Sequence, residues 1–330
     1  MVRHYLDFEK PLVELEREIE DLKRFSRGKP LDIDGPLKNL EDKFCRLQEE
    51  IFSNLSRWQI TQLARHIDRP KLSHYIQWMF EDFIELHGDR NYGDDPAIIG
   101  GISKLNGRSV MLIGHQRGVD AKEMAYRNAG MPHPEGYRKA LRLMKMAEVF
   151  KKPIVTMIDT PGAFPGVGAE ERGQAEAIAT NLRMMMMLQT PILSVVIGEG
   201  GSGGALAIGI GDRILMLEYS VYSVITPEGC AAILWKDGKK KEAAAESLKL
   251  TSHDLYRLGV TDEVVKEPLG GAHRDPRKVS ESLREVLGRH LRELDGMDMK
   301  TLLNRRYEKF RRVGTFIDEG ESKALAGTKI

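Results

Sequence analysis

PILSVVIGEGGSGGALAIG, residues 191–209, reads as an apolar strand that runs into two glycine pairs and from there straight into a helix. Gly200, Gly201, Gly203 and Gly204 carry no Cβ to hold a ligand off the main chain, and the first turn of a helix has amide donors without intrahelical partners. Such a turn suits an oxyanion or a phosphate.

Three chemical patterns overlap here. Gly198, Gly200 and Gly203 fit G-x-G-x-x-G, with Glu218 at about the offset of a ribose-binding acid. A dinucleotide site wants a full-length helix before its second strand, whereas this helical stretch soon meets Gly209, Gly211 and Asp212. Gly200, Ser202 and Gly204 also fit the G-x-S-x-G nucleophile elbow. Its histidine is not evident, since His253, His273 and His290 lie in polar or helical contexts, so Ser202 reads as a small loop residue. The third pattern is a bare oxyanion hole, in which amides act without a side-chain nucleophile.

Outward from this stretch, short apolar runs alternate with amphipathic ones: SVMLIG (109–114), EGYRKALRLMKMAEVFK (135–151), PIVTMID (153–159), EERGQAEAIATNLRMMMML (170–188) and then the opening stretch. This βαβ alternation predicts an α/β fold with consecutive parallel strands and ligand-binding loops after Ile113, Asp159, Ile197 and Ile225. Met184 to Met187 continue an apolar helical set with Ile178 and Leu182, which is core filling. TPEGCAAIL begins a further helix, and Lys236 with Lys239 to Lys241 reads as a solvated run. The strand PIVTMID ends in Thr160-Pro161-Gly162-Ala163-Phe164-Pro165-Gly166, where two prolines stiffen a turn that two glycines keep open. Asp159 to Gly162 spell D-x-x-G, but no G-x-x-x-x-G-K-[ST] accompanies it, which excludes a GTPase reading. If the two glycine-bearing strands are neighbours, their loops form one pocket of main-chain donors and apolar walls, suited to enolate or acyl oxyanion chemistry.

The 330 residues carry 50 basic and 49 acidic side chains, so no global field argues for nucleic acid or anionic membrane. Cys45 and Cys230 supply neither a disulfide framework nor a cysteine-ligated metal site, and no metal is expected in this chain. The amino terminus lacks a signal-peptide core and no apolar run approaches the roughly 18 residues of a membrane helix, which predicts a cytoplasmic protein. Leu12, Leu15, Ile19 and Leu22 repeat at helical spacing, as do Leu37, Leu40, Phe44, Leu47 and Ile51, with Pro30, Gly35 and Pro36 between the runs. The pattern is a helical hairpin whose apolar stripes pack on the main domain or on another subunit.

Four motifs in order carry a specific resemblance: RNAGMPHPEGYRKALRLMKMAE, DTPGAFPGVGAEERGQAEAIA, GEGGSGGALAIG and YSVYSVITPEGCAAILWK. Together they make the chain similar to the carboxyltransferase α-subunit family of bacterial multisubunit acetyl-CoA carboxylases, from roughly Leu6 to Arg312. Residues 313–330 depart from that pattern and receive no role. The resemblance implies a crotonase/ClpP-like fold of repeated β-β-α units with an N-terminal helical hairpin, which modifies the simple parallel sheet. It also implies three regions: a helical region at 1–60, the crotonase-like carboxyltransferase domain at 61–296, and a C-terminal helix and tail at 297–330.

By the same resemblance, carboxybiotin on a biotin carboxyl carrier protein gives its carboxyl group to acetyl-CoA, forming malonyl-CoA for fatty acid synthesis, while a separate biotin carboxylase uses ATP. The partner is a β subunit bearing a four-cysteine zinc ribbon, in an α2β2 assembly, and two cysteines assign this chain to the α half. The α half faces carboxybiotin and the β half holds most of the CoA. The resemblance places amides of Gly203, Gly204 and Ala205 on the biotin urea oxygen, so that decarboxylated biotin serves as the base for the acetyl methyl group. Gly162, Ala163 and Phe164 then form the biotin pocket wall, with Gly200 and Gly201 beside it. The alternatives are a self-sufficient crotonase-like acyl-CoA hydratase or serine hydrolase using Ser202, and a scaffold that only positions β.

Overall fold

The computed structural model describes residues 4–27 and 33–314. Eight strands form one sheet: β1 (Glu81–Glu85), β2 (Ile98–Leu105), β3 (Arg108–His115), β4 (Ile154–Thr160), β5 (Ile192–Gly201), β6 (Arg213–Leu217), β7 (Val221–Ser223) and β8 (Glu263–Val265). Their order is β1-β2-β3-β4-β5-β6-β8, with β7 paired to β5 off this path. From β3 to β8 the pairs are parallel, but β1, β2 and β3 pair antiparallel, so the all-parallel expectation is corrected to a mixed sheet. The reason is local: Asn106 and Gly107 both adopt positive φ, 52° and 75°, as a two-residue hairpin turn requires.

β4 and β5 are buried along their whole length, which is why their sequence is continuously apolar. Alternation sends Val155, Met157, Leu193, Val195 and Ile197 to one face, against Val279, Leu283, Leu287, Leu291 and Leu294 of the helix Pro276–Asp295. Met111, Ile113, Ile154, Ile158, Ile192 and Val196 go to the other, against Leu143 and Met144 of the helix Pro134–Val149 and against Ala205. Each fully buried aliphatic side chain contributes roughly 1.5–3 kcal/mol, so two such layers fix the strand ends firmly.

The two N-terminal helices run over Lys10–Ser26 and Asp34–Ser53. Gly35 and Pro36 therefore belong to the first turn of the second helix, where the missing proline N–H has no partner to lose, and Pro30 lies outside the described residues. Leu12 and Phe52 pack on Leu63 and Tyr219, so the hairpin docks on its own chain. The stretch 170–188 is not one helix: Gly173, at φ 82°, separates Val167–Glu171 from Gln174–Met187. Only Met185 of the methionine run is fully buried and Met187 is 47% exposed, because four consecutive residues span more than one helix face. The helix Met299–Arg311 is anchored by Arg306, wholly buried, which bonds both carboxylate oxygens of Asp212 at 2.8 and 2.7 Å and the carbonyls of Met185, Leu188 and Thr190.

Candidate functional site

The two glycine-bearing segments leave the carboxyl ends of the adjacent strands β4 and β5 and meet backbone to backbone. A Cβ on Gly201 would stand 2.1 Å from the Pro161 carbonyl oxygen, and one on Gly204 would stand 2.4 Å from the Gly162 carbonyl carbon. Glycine is required at both positions by this contact. At Gly162, φ 158°, an added Cβ would meet nothing within 4 Å, so that side opens into free space. The Thr160 hydroxyl donates to the Gly162 carbonyl at 2.7 Å and accepts from its N–H at 3.1 Å, which ties the turn to the strand end.

Gly200 and Gly201 are strand residues, which corrects their reading as loop donors. Gly200 is flanked by Thr160 on one side and Tyr222 on the other, and Gly201 pairs with Ser223. Their lack of side chains serves strand approach. The helix spans only Ser202–Leu206, with Gly201 as its N-cap. The first turn of so short a helix leaves the amides of Ser202, Gly203 and Gly204 without an intrahelical acceptor, and the buried Ala205 follows them directly. Gly203 is half-buried, and an added Cβ there would touch only Ile178, at 3.5 Å.

Ser202 is exposed and holds φ 51°, the strained strand-to-helix geometry of a nucleophile elbow. None of the three histidines that the sequence offers as its base is free for that role: His253 faces Glu218, His290 bonds Glu263 at 2.8 Å, and His273 stacks on His66 at 4.0 Å. Phe164 stacks on His133 with centroids 4.2 Å apart, and its N–H donates to the Pro132 carbonyl at 3.0 Å. This docks the turn 160–166 on the segment before the helix Pro134–Val149. Ala163 and Phe164 remain half-buried on the open side.

Beneath the two turns lies a charge network that periodicity does not reveal. Arg117 reaches Asp159 at 3.3 Å and Glu199 at 3.1 Å, while Arg65 bonds Glu199 at 2.7 Å and Glu228 at 2.7 Å. Asp159 also accepts from the Glu199 N–H at 3.1 Å, which locks the end of β4 to the end of β5. Arg65 is held above its ordinary value; burial lowers it, and Glu199 and Glu228 more than offset this. The sequence signal was the charge in HQRG after SVMLIG and in IGEGG, residues that nothing local requires.

Among the described residues, Glu9, His66 and His273 form a group of metal-type donors. The His66 and His273 rings are stacked, 13° from parallel, so their lone pairs lie in separate planes and do not converge on one ion. His66 already accepts from the Asp68 N–H at 3.1 Å. Lys236, Lys239 and Lys240 are exposed, as a solvated run requires, whereas Lys241 is half-buried with its ammonium 4.6 Å from the Trp58 ring centroid. Cys45 and Cys230 are free thiols, the first exposed and the second buried. No described helix is long and apolar enough to cross a membrane.

The family model described as acetyl co-enzyme A carboxylase carboxyltransferase-like matches residues 5–314. The chain belongs to this family. It is 59% identical over 316 residues to the acetyl-coenzyme A carboxylase carboxyl transferase subunit alpha of Geobacter metallireducens, covering 96% of this chain and 99% of that one. Identity to the subunit of the same name from Methylococcus capsulatus is 56% over 312 residues, covering 94% and 97%.

Among solved structures, transcarboxylase 12S superposes on this family member with TM-score 0.53 at 20% identity, over 68% of this chain and 44% of that one. A Pseudomonas malonate decarboxylase hetero-tetramer in complex with coenzyme A gives TM-score 0.54 at 18% identity, over 72% and 91%. The fold is the crotonase-like carboxyltransferase α/β fold that the resemblance implies. ββα units are visible where β2 and β3 precede the helix Pro134–Val149, and where β6 and β7 precede the helix Pro227–Trp235.

Proposed function

We propose that this chain is the α half of an acetyl-CoA carboxyltransferase and that its glycine turns bind carboxybiotin. The observation that supports this most is the backbone contact of Gly204 with Gly162 and Ala163, which sets the amides of Gly203, Gly204 and Ala205 at the start of the helix beside the open face of Gly162. That open face is a cradle which any Cβ on Gly162 would enter, so the residues present fit a flat ureido ring. When bound, carboxybiotin supplies the carboxyl group that acetyl-CoA accepts.

The chain's own residues then act by position. Amides among Gly203, Gly204 and Ala205 donate to the ureido oxygen, and one such donor is worth roughly 2.7–4 kcal/mol, or 10² to 10³ in rate. Ala163 and Phe164 form the wall and exclude water, with Phe164 braced by His133. Gly200 and Gly201 contribute by letting β5 pass close to the turn. The Arg117–Asp159–Glu199–Arg65 network holds both turns in register.

The site is completed by a β subunit. Val224, Ile233 and Leu234, 77%, 70% and 65% exposed, flank it, because β7 pairs with the end of β5 and leads into the helix Pro227–Trp235. An apolar surface of this kind beside a half-open site is what a partner would cover. In this reading residues 61–296 carry the chemistry, residues 1–60 the hairpin and residues 297–330 the C-terminal helix and tail. The assembly is α2β2, works in the cytoplasm, and takes carboxybiotin from a carrier protein charged by a separate biotin carboxylase.

The experiment is to co-purify the chain with its β partner and follow carboxyl exchange between malonyl-CoA and biocytin, with each subunit alone as control. Exchange in the pair and in neither subunit alone is expected. Turnover by this chain alone, abolished in Ser202→Ala, would replace the proposal with the hydrolase.

A further inference from the structure

His115 ends β3, and Met111, Ile113 and His115 alternate onto the sheet face that carries Ala205. Its side chain is wholly buried, and neither ring nitrogen completes a hydrogen bond within the chain. A buried imidazole whose nitrogens complete no hydrogen bond is costly to fold. Three polar groups act on the ring: Asp159, Arg117 and the backbone of Gly204. Burial pushes its pKa down to about 3, so the ring is neutral near pH 7 and carries one N–H.

The Gly204 carbonyl lacks a donor in its turn. Ala207 N–H bonds Gly203, Ile208 N–H bonds Ala205 at 3.3 Å and Gly209 N–H bonds Leu206, so the ladder steps over residue 204. The Gly204 backbone acts on the His115 ring as a hydrogen-bonding group, so a donor and an acceptor with no other partner face each other beneath the turn proposed to bind the ureido oxygen.

The geometry points to His115 as a positioning residue: in the assembled enzyme its ring N–H donates to the Gly204 carbonyl and fixes the orientation of Gly204 in the oxyanion-binding turn. The inference rests on the carboxyltransferase reading of that turn. His115 touches no substrate and acts through Gly204 alone. Without it the Gly204 carbonyl is free to tilt, and the Ala205 N–H, which shares its peptide plane, tilts with it.

The test uses the complete αβ complex and compares His115→Leu and His115→Met, which fill the space without a donor, with His115→Gln, which keeps one. The apolar variants are expected to lower kcat of malonyl-CoA–biocytin exchange about tenfold or more, with KM for both substrates within about twofold, because a transition-state contact is lost and ground-state binding is not. His115→Gln is expected to recover most of that loss. Equal losses in all three variants, or a loss confined to KM, overturn the positioning role. Should the apolar variants fail to assemble, histidine-selective ¹⁵N spectra of the wild-type complex decide. The proposal requires the ring N–H signal of His115 to shift on adding biocytin, and an unmoved signal overturns it. Failure of the underlying reading is distinct, since the wild-type complex itself would then show no exchange.

Discussion

Gly203 and Gly204 are adjacent in one motif, yet alanine at each should behave oppositely. At Gly204 the added Cβ would lie 2.4 Å from the Gly162 carbonyl carbon, 2.6 Å from the Ala163 nitrogen and 2.8 Å from the Gly162 oxygen. Ordinary contact begins near 3.4 Å, so the turns must separate by about 1 Å, with backbone on both sides and no side chain able to swing away. Overpacking of this kind costs about 1–3 kcal/mol, and a contact between two backbones belongs at the upper end.

At Gly203 the only neighbour is the flexible end of Ile178, at 3.5 Å, and replacing glycine in a helix gains up to about 1 kcal/mol. The two variants should therefore differ by about 4 kcal/mol, or roughly 10 °C in melting temperature at about 2–4 °C per kcal/mol. Thermal denaturation of the purified chain, followed by exchange assay of the reconstituted pair, measures both consequences. Gly204→Ala should melt lower and lose exchange, whereas Gly203→Ala should melt no lower than wild type. Equal melting temperatures would refute the backbone-contact account of this motif. Gly204→Val is unsuitable as a probe of the amides because it enlarges the same clash.

Ser202→Ala should leave exchange within about twofold, since His253, His273 and His290 are all engaged elsewhere; a loss of about a hundredfold or more would restore a nucleophilic role. Phe164→Ala should raise the biocytin KM by about threefold or more through loss of the wall braced on His133, and an unchanged KM would remove Phe164 from the pocket. Stability should fall on acidification. Burial, with His273 adjacent, lowers His66 to about 4, and burial lowers His115 to about 3, both from an ordinary 6.5. The unfolded chain takes up protons as pH falls through about 6.5 while the folded chain does not, so stability held above that pH declines toward pH 4 by up to a few kcal/mol. Urea midpoints at pH 7.5 and 5 check this, and a midpoint as high at pH 5 as at 7.5 would contradict it.

The apolar runs SVMLIG, PIVTMID and PILSVVIG give β3, β4 and β5 directly, because strands buried on both faces leave no room for polar residues. β1 and β2 are harder to see: EDFIE is mostly exposed, and β2 carries Gly100 and Gly101, the second forced by the approach of Ile84 to 2.0 Å from its would-be Cβ. Asn106-Gly107 nevertheless marks the hairpin in plain text. At the site the sequence locates both turns but not why each glycine is there, since the contact of Gly204 with Gly162 joins residues 42 positions apart. His115, Arg65 and Arg117 come from separate segments and converge on the strand ends only through the sheet order. No spacing rule reports such a meeting.

The most direct measurement is a crystal structure of the αβ complex with biocytin. The account places the ureido oxygen about 2.7–3.1 Å from main-chain nitrogens among Gly203, Gly204 and Ala205, beside the Gly162 face. A ureido ring seated elsewhere, with those nitrogens bonded to carbonyls of the partner subunit, would contradict it.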